Sequence, residues 1–210
     1  MGKVFIAFPT YDKKVDVEIL QTVAQLAPIY ANTQFVIDFI STSLITTARN
    51  YLVKRFLKTD CDWLYFWDAD VVIRDLTFLD KLTETASSLS ADIVGGAYRI
   101  KHDRELYAFG NYNEAGELIN FKVGELSEPM LVDTLATGAM MISRKVLETI
   151  PAPWFSFVEE PDRTIPEDHN FCNLARKAGF RIAVDPRFAT YHTGYAAWAH
   201  LPTSKEVVEP

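Results

Sequence analysis

The sequence predicts an α/β domain with a mixed, mostly parallel central sheet flanked by helices. Short β-prone apolar runs alternate with segments of helical periodicity over the first 95 residues. The second half breaks into shorter strand candidates separated by turn signals. Hydrophobic residues make up 49% of the 210, and charged residues 23%. That balance supplies a core and excludes a disordered, collagenous or coiled-coil chain. No repeat or linker interrupts the pattern, so residues 1–210 read as one domain.

Residues 3–8, KVFIAF, predict a buried strand stopped by Pro9. Val15, Ile19, Val23 and Leu26 recur at helical spacing up to Pro28. TQFVIDF (33–39) is a second strand, and Ser41 to Ser43 offer N-caps for a helix whose inner face is Leu44, Ala48, Tyr51, Leu52 and Phe56. WLYFW (63–67) is a third strand running into Asp68-Ala69-Asp70. A helix with Leu76, Leu79, Leu82, Ala86 and Leu89 follows, then the strand ADIVGG. Beyond it AYRI, ELYAFG, ELINFKVG and PMLVDTL are short strands, with a turn at Asn113 to Gly116. The helix SRKVLETI, a loop over 151–165, a helix opening at Pro166 and stopping at Gly179, and the strand FRIAVD complete the order.

Charge and cysteine content narrow the function. The net charge is −7 and no Lys/Arg run exceeds two residues, which argues against a nucleic-acid partner. Two cysteines, Cys61 and Cys172, are too few for a disulfide framework, and neither stands in a metal-type pair. The apolar run VFIAF is too short for a leader, and no stretch approaches the ~18 apolar residues of a membrane span. A cytoplasmic protein without a membrane span is the expectation.

Three places carry candidate chemistry. Asp68 and Asp70 follow a strand end, where ligands of open α/β sheets bind. Two carboxylates there suit Mg²⁺ or Mn²⁺, and the small Ala69 leaves room near the backbone. They could equally just stop the strand. The second such pair, Asp60 and Asp62, precedes the strand and reads as a solvated turn. Glu167 and Asp168 open a helix, where acids complement the dipole without any function or act as a general base. His192, in Tyr191-His192-Thr193-Gly194, is either packing or a nitrogen ligand that with two Asp favours Mn²⁺.

Pro9-Thr10-Tyr11, ITTARNYLV, DWLYFWDADV, VGGAYR, TGAMMISRKVLE, EDHNFCNLARKAGF and YHTG, in this order from about residue 3 to 194, resemble the GT-A-fold (Rossmann-like) nucleotide-sugar glycosyltransferases. Within that family the likeness extends to domains that build chlorella-virus capsid glycans, which implies an N-terminal piece of a longer chain acting in host cytoplasm. The resemblance implies that Pro9, Thr10 and Tyr11 line the base and ribose, with Asp38 and Arg49 also facing the nucleotide. Asp68 would lie by the ribose and metal, Asp70 and His192 would ligate Mn²⁺ (or Mg²⁺), and Thr137-Gly138 would wall the donor sugar. Asp168 occupies the base position of inverting members, with Glu167 as its neighbour. The implied reaction moves a hexosyl or deoxyhexosyl group from a UDP-sugar to a glycan or glycoprotein acceptor. Trp154 and Phe155 are candidates for an acceptor-sugar platform or for packing.

Two other classes fit the same residues: a metal-dependent phosphohydrolase or nucleotidyltransferase, and a non-catalytic carbohydrate-binding module. The first lacks a GxxxxGK loop. Against the second stands the intact set Asp68, Asp70, Asp168 and His192.

Overall fold

The computed structural model describes residues 2–30, 35–100, 103, 105–188, 190–193 and 198–200. Thr33, Gln34 and Gly194, which figured in the sequence reading, lie outside these. The elements are β1 (Val4–Thr10), α1 (Val17–Ile29), β2 (Phe35–Ser41), α2 (Ile45–Phe56), β3 (Trp63–Trp67), β4 (Val71–Ile73), α3 (Phe78–Ser88), β5 (Ile93–Gly96), β6 (Leu106–Tyr112), β7 (Leu118–Lys122), β8 (Met130–Val132), β9 (Thr134–Leu135), β10 (Ala139–Ser143), α4 (Arg144–Thr149), β11 (Val158–Glu160), β12 (Arg163–Ile165), α5 (Glu167–Lys177), β13 (Ile182–Asp185), β14 (Thr190–His192) and β15 (Trp198–His200).

Seven strands form the central sheet in the order β2-β1-β3-β10-β5-β13-β8. β1 pairs parallel with β2 and β3, β13 with β5, while β10 runs antiparallel between β3 and β5 and β8 closes the edge antiparallel. The mixed, mostly parallel sheet is therefore as expected. Side chains alternate across it. Phe5, Leu64 and Phe66 pack with Phe56 of α2, Leu147 of α4 and Phe171 of α5. Val4, Ile6, Tyr65 and Trp67 pack with Ile19 of α1 and Phe78 and Leu82 of α3. Burial on both faces explains why these strands read as continuous apolar runs.

The structure differs from the sequence reading at four places. β1 continues through Pro9 because its pairing with β3 ends at Ala7, whereas its pairing with β2 runs to Thr10. Pro9 thus needs no N–H on the β3 side. β10, AMMIS, was not predicted: Ala and Met lack β-branching, and the run abuts a helix. Helix α2 starts at the backbone-only N-cap Leu44, and its inner face is Ala48, Arg49, Leu52, Val53 and Phe56, with Tyr51 turned outward. The segment expected as a loop over 151–165 contains the hairpin β11–β12. Asp60 is exposed and ion-paired with Lys3, a solvated turn as expected.

Cys61 and Cys172 are both free thiols in the core, and burial pushes the Cys172 thiol up to about 12. Neither should react with a chromogenic disulfide reagent in the native protein, and both should react after unfolding in denaturant. Stoichiometric labelling without denaturant would contradict this burial.

Candidate active site

The carboxyl ends of β1, β2, β3, β5 and β13 share one edge of the sheet, where the amino end of β10 arrives from the opposite direction. Asp68, Ala69 and Asp70 form the turn from β3 into β4. The Asp68 N–H donates to the Gly138 carbonyl at 3.0 Å, and the Val71 N–H returns to the Asp68 carbonyl at 3.0 Å. Beside this turn lies a cleft of about 490 Å³, lined by Pro9, Thr10, Tyr11, Asp68, Ala69 and Asp70 among others. Thr10 spends its hydroxyl on the Ile40 carbonyl, 3.1 Å, and Tyr11 projects from the rim, 76% exposed.

A ladder outside the main sheet brings His192 to this rim. β14 pairs antiparallel with β4, so that His192 stands opposite Val71, and the Thr193 N–H donates to the Asp70 carbonyl at 2.8 Å. His192 Nε2 then lies 3.7 Å from Asp70 Oδ2. Its Nδ1 is 3.2 Å from the Arg99 carbonyl, which can only accept, so Nδ1 carries a proton and Nε2 is the ring nitrogen turned towards the carboxylate. An imidazole nitrogen facing a carboxylate suits either a direct ion pair or a shared cation, and for a mixed nitrogen and oxygen set Mn²⁺ is the natural choice. The third expected ligand stands apart: Asp68 accepts from Arg49 Nη2 at 3.2 and 3.4 Å. Among the described residues no group of three ligating side chains gathers. The pair fits an ion completed by phosphate oxygens and water, the usual habit of Mg²⁺ at phosphate sites.

Arg49 does not line the cleft. It is 4% exposed, ion-paired with Glu167 on one side and Asp68 on the other. Burial lowers the Arg49 value, but Asp68, Glu167 and Asp168 outweigh it and the net shift is upward. Burial likewise raises the carboxyls of Asp68 and Glu167, with Arg49 opposing. Asp168 sits in the first turn of α5, its Oδ1 accepting the His169 N–H at 2.8 Å. Thus α2, α5 and the β3 end are tied together by one buried cation.

A scan against protein-family models matches residues 4–206 to "Glycosyltransferase like family 2". The chain belongs to that family. A search of the curated proteins by sequence finds no match. Among solved structures, this glycosyltransferase resembles A197 from STIV, with TM-score 0.66 and 18% identity over 99% of this chain and 98% of that one. It also matches a glycosyltransferase involved in the glycosylation of the major capsid of PBCV-1, with TM-score 0.40 and 12% identity over 72% of this chain and 68% of that one. No helix among the described residues is long and apolar enough to cross a membrane.

The cleft and its surroundings gather the expected residues unevenly. Pro9, Thr10, Tyr11, Asp68, Ala69 and Asp70 share the cleft. Asp38 lies within β2, not after it, and its carboxylate is ion-paired with Arg55 of α2 at 2.6 Å, away from the cleft lining. Thr137 and Gly138 flank Asp68, but the space in front of Gly138 belongs to Tyr98. The Tyr98 hydroxyl accepts the Gly138 N–H at 2.8 Å, and a Cβ on Gly138 would come within 2.7 Å of it. Trp154 and Phe155 are packing residues, Trp154 donating to the Leu147 carbonyl and Phe155 wedged between Phe66 and Phe171. Lys14, in the cleft lining beside Asp12, was missed. The Lys13-Lys14 pair just past the first strand was its only signal.

Gly138→Ala should overpack this wall and cost about 1–3 kcal/mol. The expected thermal unfolding midpoint falls by roughly 2–12 °C. An unchanged midpoint would show that Tyr98 yields freely.

Proposed function

We propose that this glycosyltransferase transfers a sugar from a UDP-sugar to a hydroxyl of a glycan acceptor, with inversion at the anomeric carbon. The facing of His192 and Asp70 at the rim of the Pro9–Tyr11 cleft carries the reading. The nucleotide lies in that cleft, with base and ribose against Pro9, Thr10 and Tyr11 and the diphosphate towards Asp70. Asp70 and His192 would hold a divalent cation there, which would supply Lewis-acid stabilisation of the departing diphosphate. Such an ion, with Lys14, reconciles an anionic donor with a chain of net charge −7. Asp168 takes the proton of the acceptor hydroxyl as its oxygen bonds to the anomeric carbon and the bond to the diphosphate breaks. One displacement from the opposite face inverts that carbon. Glu167 holds Arg49 rather than a substrate proton.

Thermal stability with UDP and with GDP, each with Mn²⁺ and with EDTA, tests the donor site. Ligand at 100 times its dissociation constant stabilises by about 2.7 kcal/mol, which in a chain of this size raises the midpoint by roughly 5–10 °C. The expected shift occurs with UDP and Mn²⁺ and vanishes in EDTA. Asp70→Ala should abolish it while leaving the unliganded midpoint in place. A shift insensitive to EDTA, or an Asp70→Ala variant that binds like the parent, would overturn the ion site. No shift with either nucleotide would overturn the donor reading.

A further inference from the structure

A second groove, of about 650 Å³, runs between α2 and residues 152–157, on the flank of α2 turned away from the nucleotide cleft. Two aromatic rings stand on its two walls: Tyr51 of α2, 50% exposed, and Phe157 of the loop, 52% exposed. Thr46, Thr47 and Ser156 add hydroxyls, and Lys54 is the one charged residue in the lining.

The groove is held open by its own hydrogen bonds. Asn50 Oδ1 accepts from the N–H groups of Trp154 and Phe155 at 2.9 and 3.2 Å, and Asn50 Nδ2 donates to the Phe155 carbonyl at 2.6 Å. The loop is thereby pinned to α2, so a ligand finds the walls already ordered. Aromatic faces on separate walls with hydroxyls between them suit the apolar C–H faces and the hydroxyl edges of pyranose rings. The lining holds a single lysine, and Arg55, whose guanidinium lies 5.8 Å from the Tyr51 ring centre, is already paired with Asp38, which leaves little for a polyanion to hold.

The groove also abuts the reacting end of α5. Asn170, two residues past Asp168, donates to the Ser156 carbonyl at 3.0 Å and to its hydroxyl at 3.1 Å. Phe155, in the groove lining, stacks on Phe171 and carries the Arg49 guanidinium 5.9 Å from its ring centre. We infer that this groove binds the non-reacting part of a neutral oligosaccharide acceptor, clamped between Tyr51 and Phe157. The inference rests on the transferase reading above, yet its test is separate.

Tyr51→Ala, Phe157→Ala and Tyr51→Phe, with the parent chain, would be applied to an array of neutral and uronate-bearing oligosaccharides. The parent should be retained on neutral members. Each alanine variant should lose roughly five- to tenfold in affinity, the worth of one stacked ring. Tyr51→Phe should bind like the parent, because the ring face and not the hydroxyl is used. Both rings are outside the core, so unfolding midpoints and the UDP–Mn²⁺ shift should stay unchanged. Alanine variants that bind like the parent, a parent retained on no neutral member, or a parent dimer that Phe157→Ala converts to monomer would each overturn the assignment. Loss of the UDP–Mn²⁺ shift in the parent, with oligosaccharide binding intact, would instead count against the donor site alone.

Discussion

Arg49→Met should destabilise the protein by about 3–5 kcal/mol, the usual cost of removing one partner from a buried ion network. The midpoint should fall by roughly 6–20 °C. The size follows from what stays behind. Glu167 and Asp68 have burial working against their charged forms, and Arg49 is the first group that opposes it. Without Arg49 both carboxyls titrate higher still. The folded state then holds protons that the unfolded state, titrating near pH 4, has released. Stability must therefore fall as pH rises through that window, since the folded state binds more protons. The deficit of the variant should be smaller at pH 5 than at pH 8. Denaturant unfolding at both values checks this, and a deficit that is equal or larger at pH 5 would sink the account.

The same residue shows where sequence reading stops. Arg49 sits in Ala-Arg-Asn on a helix whose apolar positions were read as Leu44, Ala48, Tyr51, Leu52 and Phe56. Rotating that stripe by one position puts Val53 and Arg49 inside and Tyr51 and Leu44 outside. Periodicity could not choose between the two, because a buried arginine is recognisable only once its partners are placed. Those partners, Asp68 just past β3 and Glu167 of α5, stand far apart in the chain. By contrast, the strands WLYFW and FRIAVD were legible, since burial on both faces leaves an uninterrupted apolar run. Asp68 and Asp70 were legible for a related reason: they follow a strand end, and strand ends in this class share one edge, whereas Pro9, Thr10 and Tyr11 came only with the family resemblance. His192 was picked out, but the ladder that delivers it was not. β4 is only three residues long, VVI, and follows Asp70 so closely that nothing separates it from the acidic turn.

Asp168→Asn should leave the fold and nucleotide binding in place and lower the transfer rate by roughly 10²–10⁴-fold, the range associated with loss of a general base. The amide keeps the shape of the carboxylate and still accepts the His169 N–H through its oxygen. What it cannot do is take the acceptor proton. The effect should therefore fall on kcat, with the UDP–Mn²⁺ thermal shift retained. Glu167→Gln is the informative contrast. Its side chain is engaged by Arg49, so the loss should register as lowered stability first. If Asp168→Asn transfers sugar at the parent rate, the base lies elsewhere. If Glu167→Gln instead abolishes transfer at unchanged stability, the roles of the two neighbours are reversed. The helix makes that swap physically distinct: Glu167 turns into the core against Arg49, while Asp168, one residue on, stands half-buried in the first turn of α5.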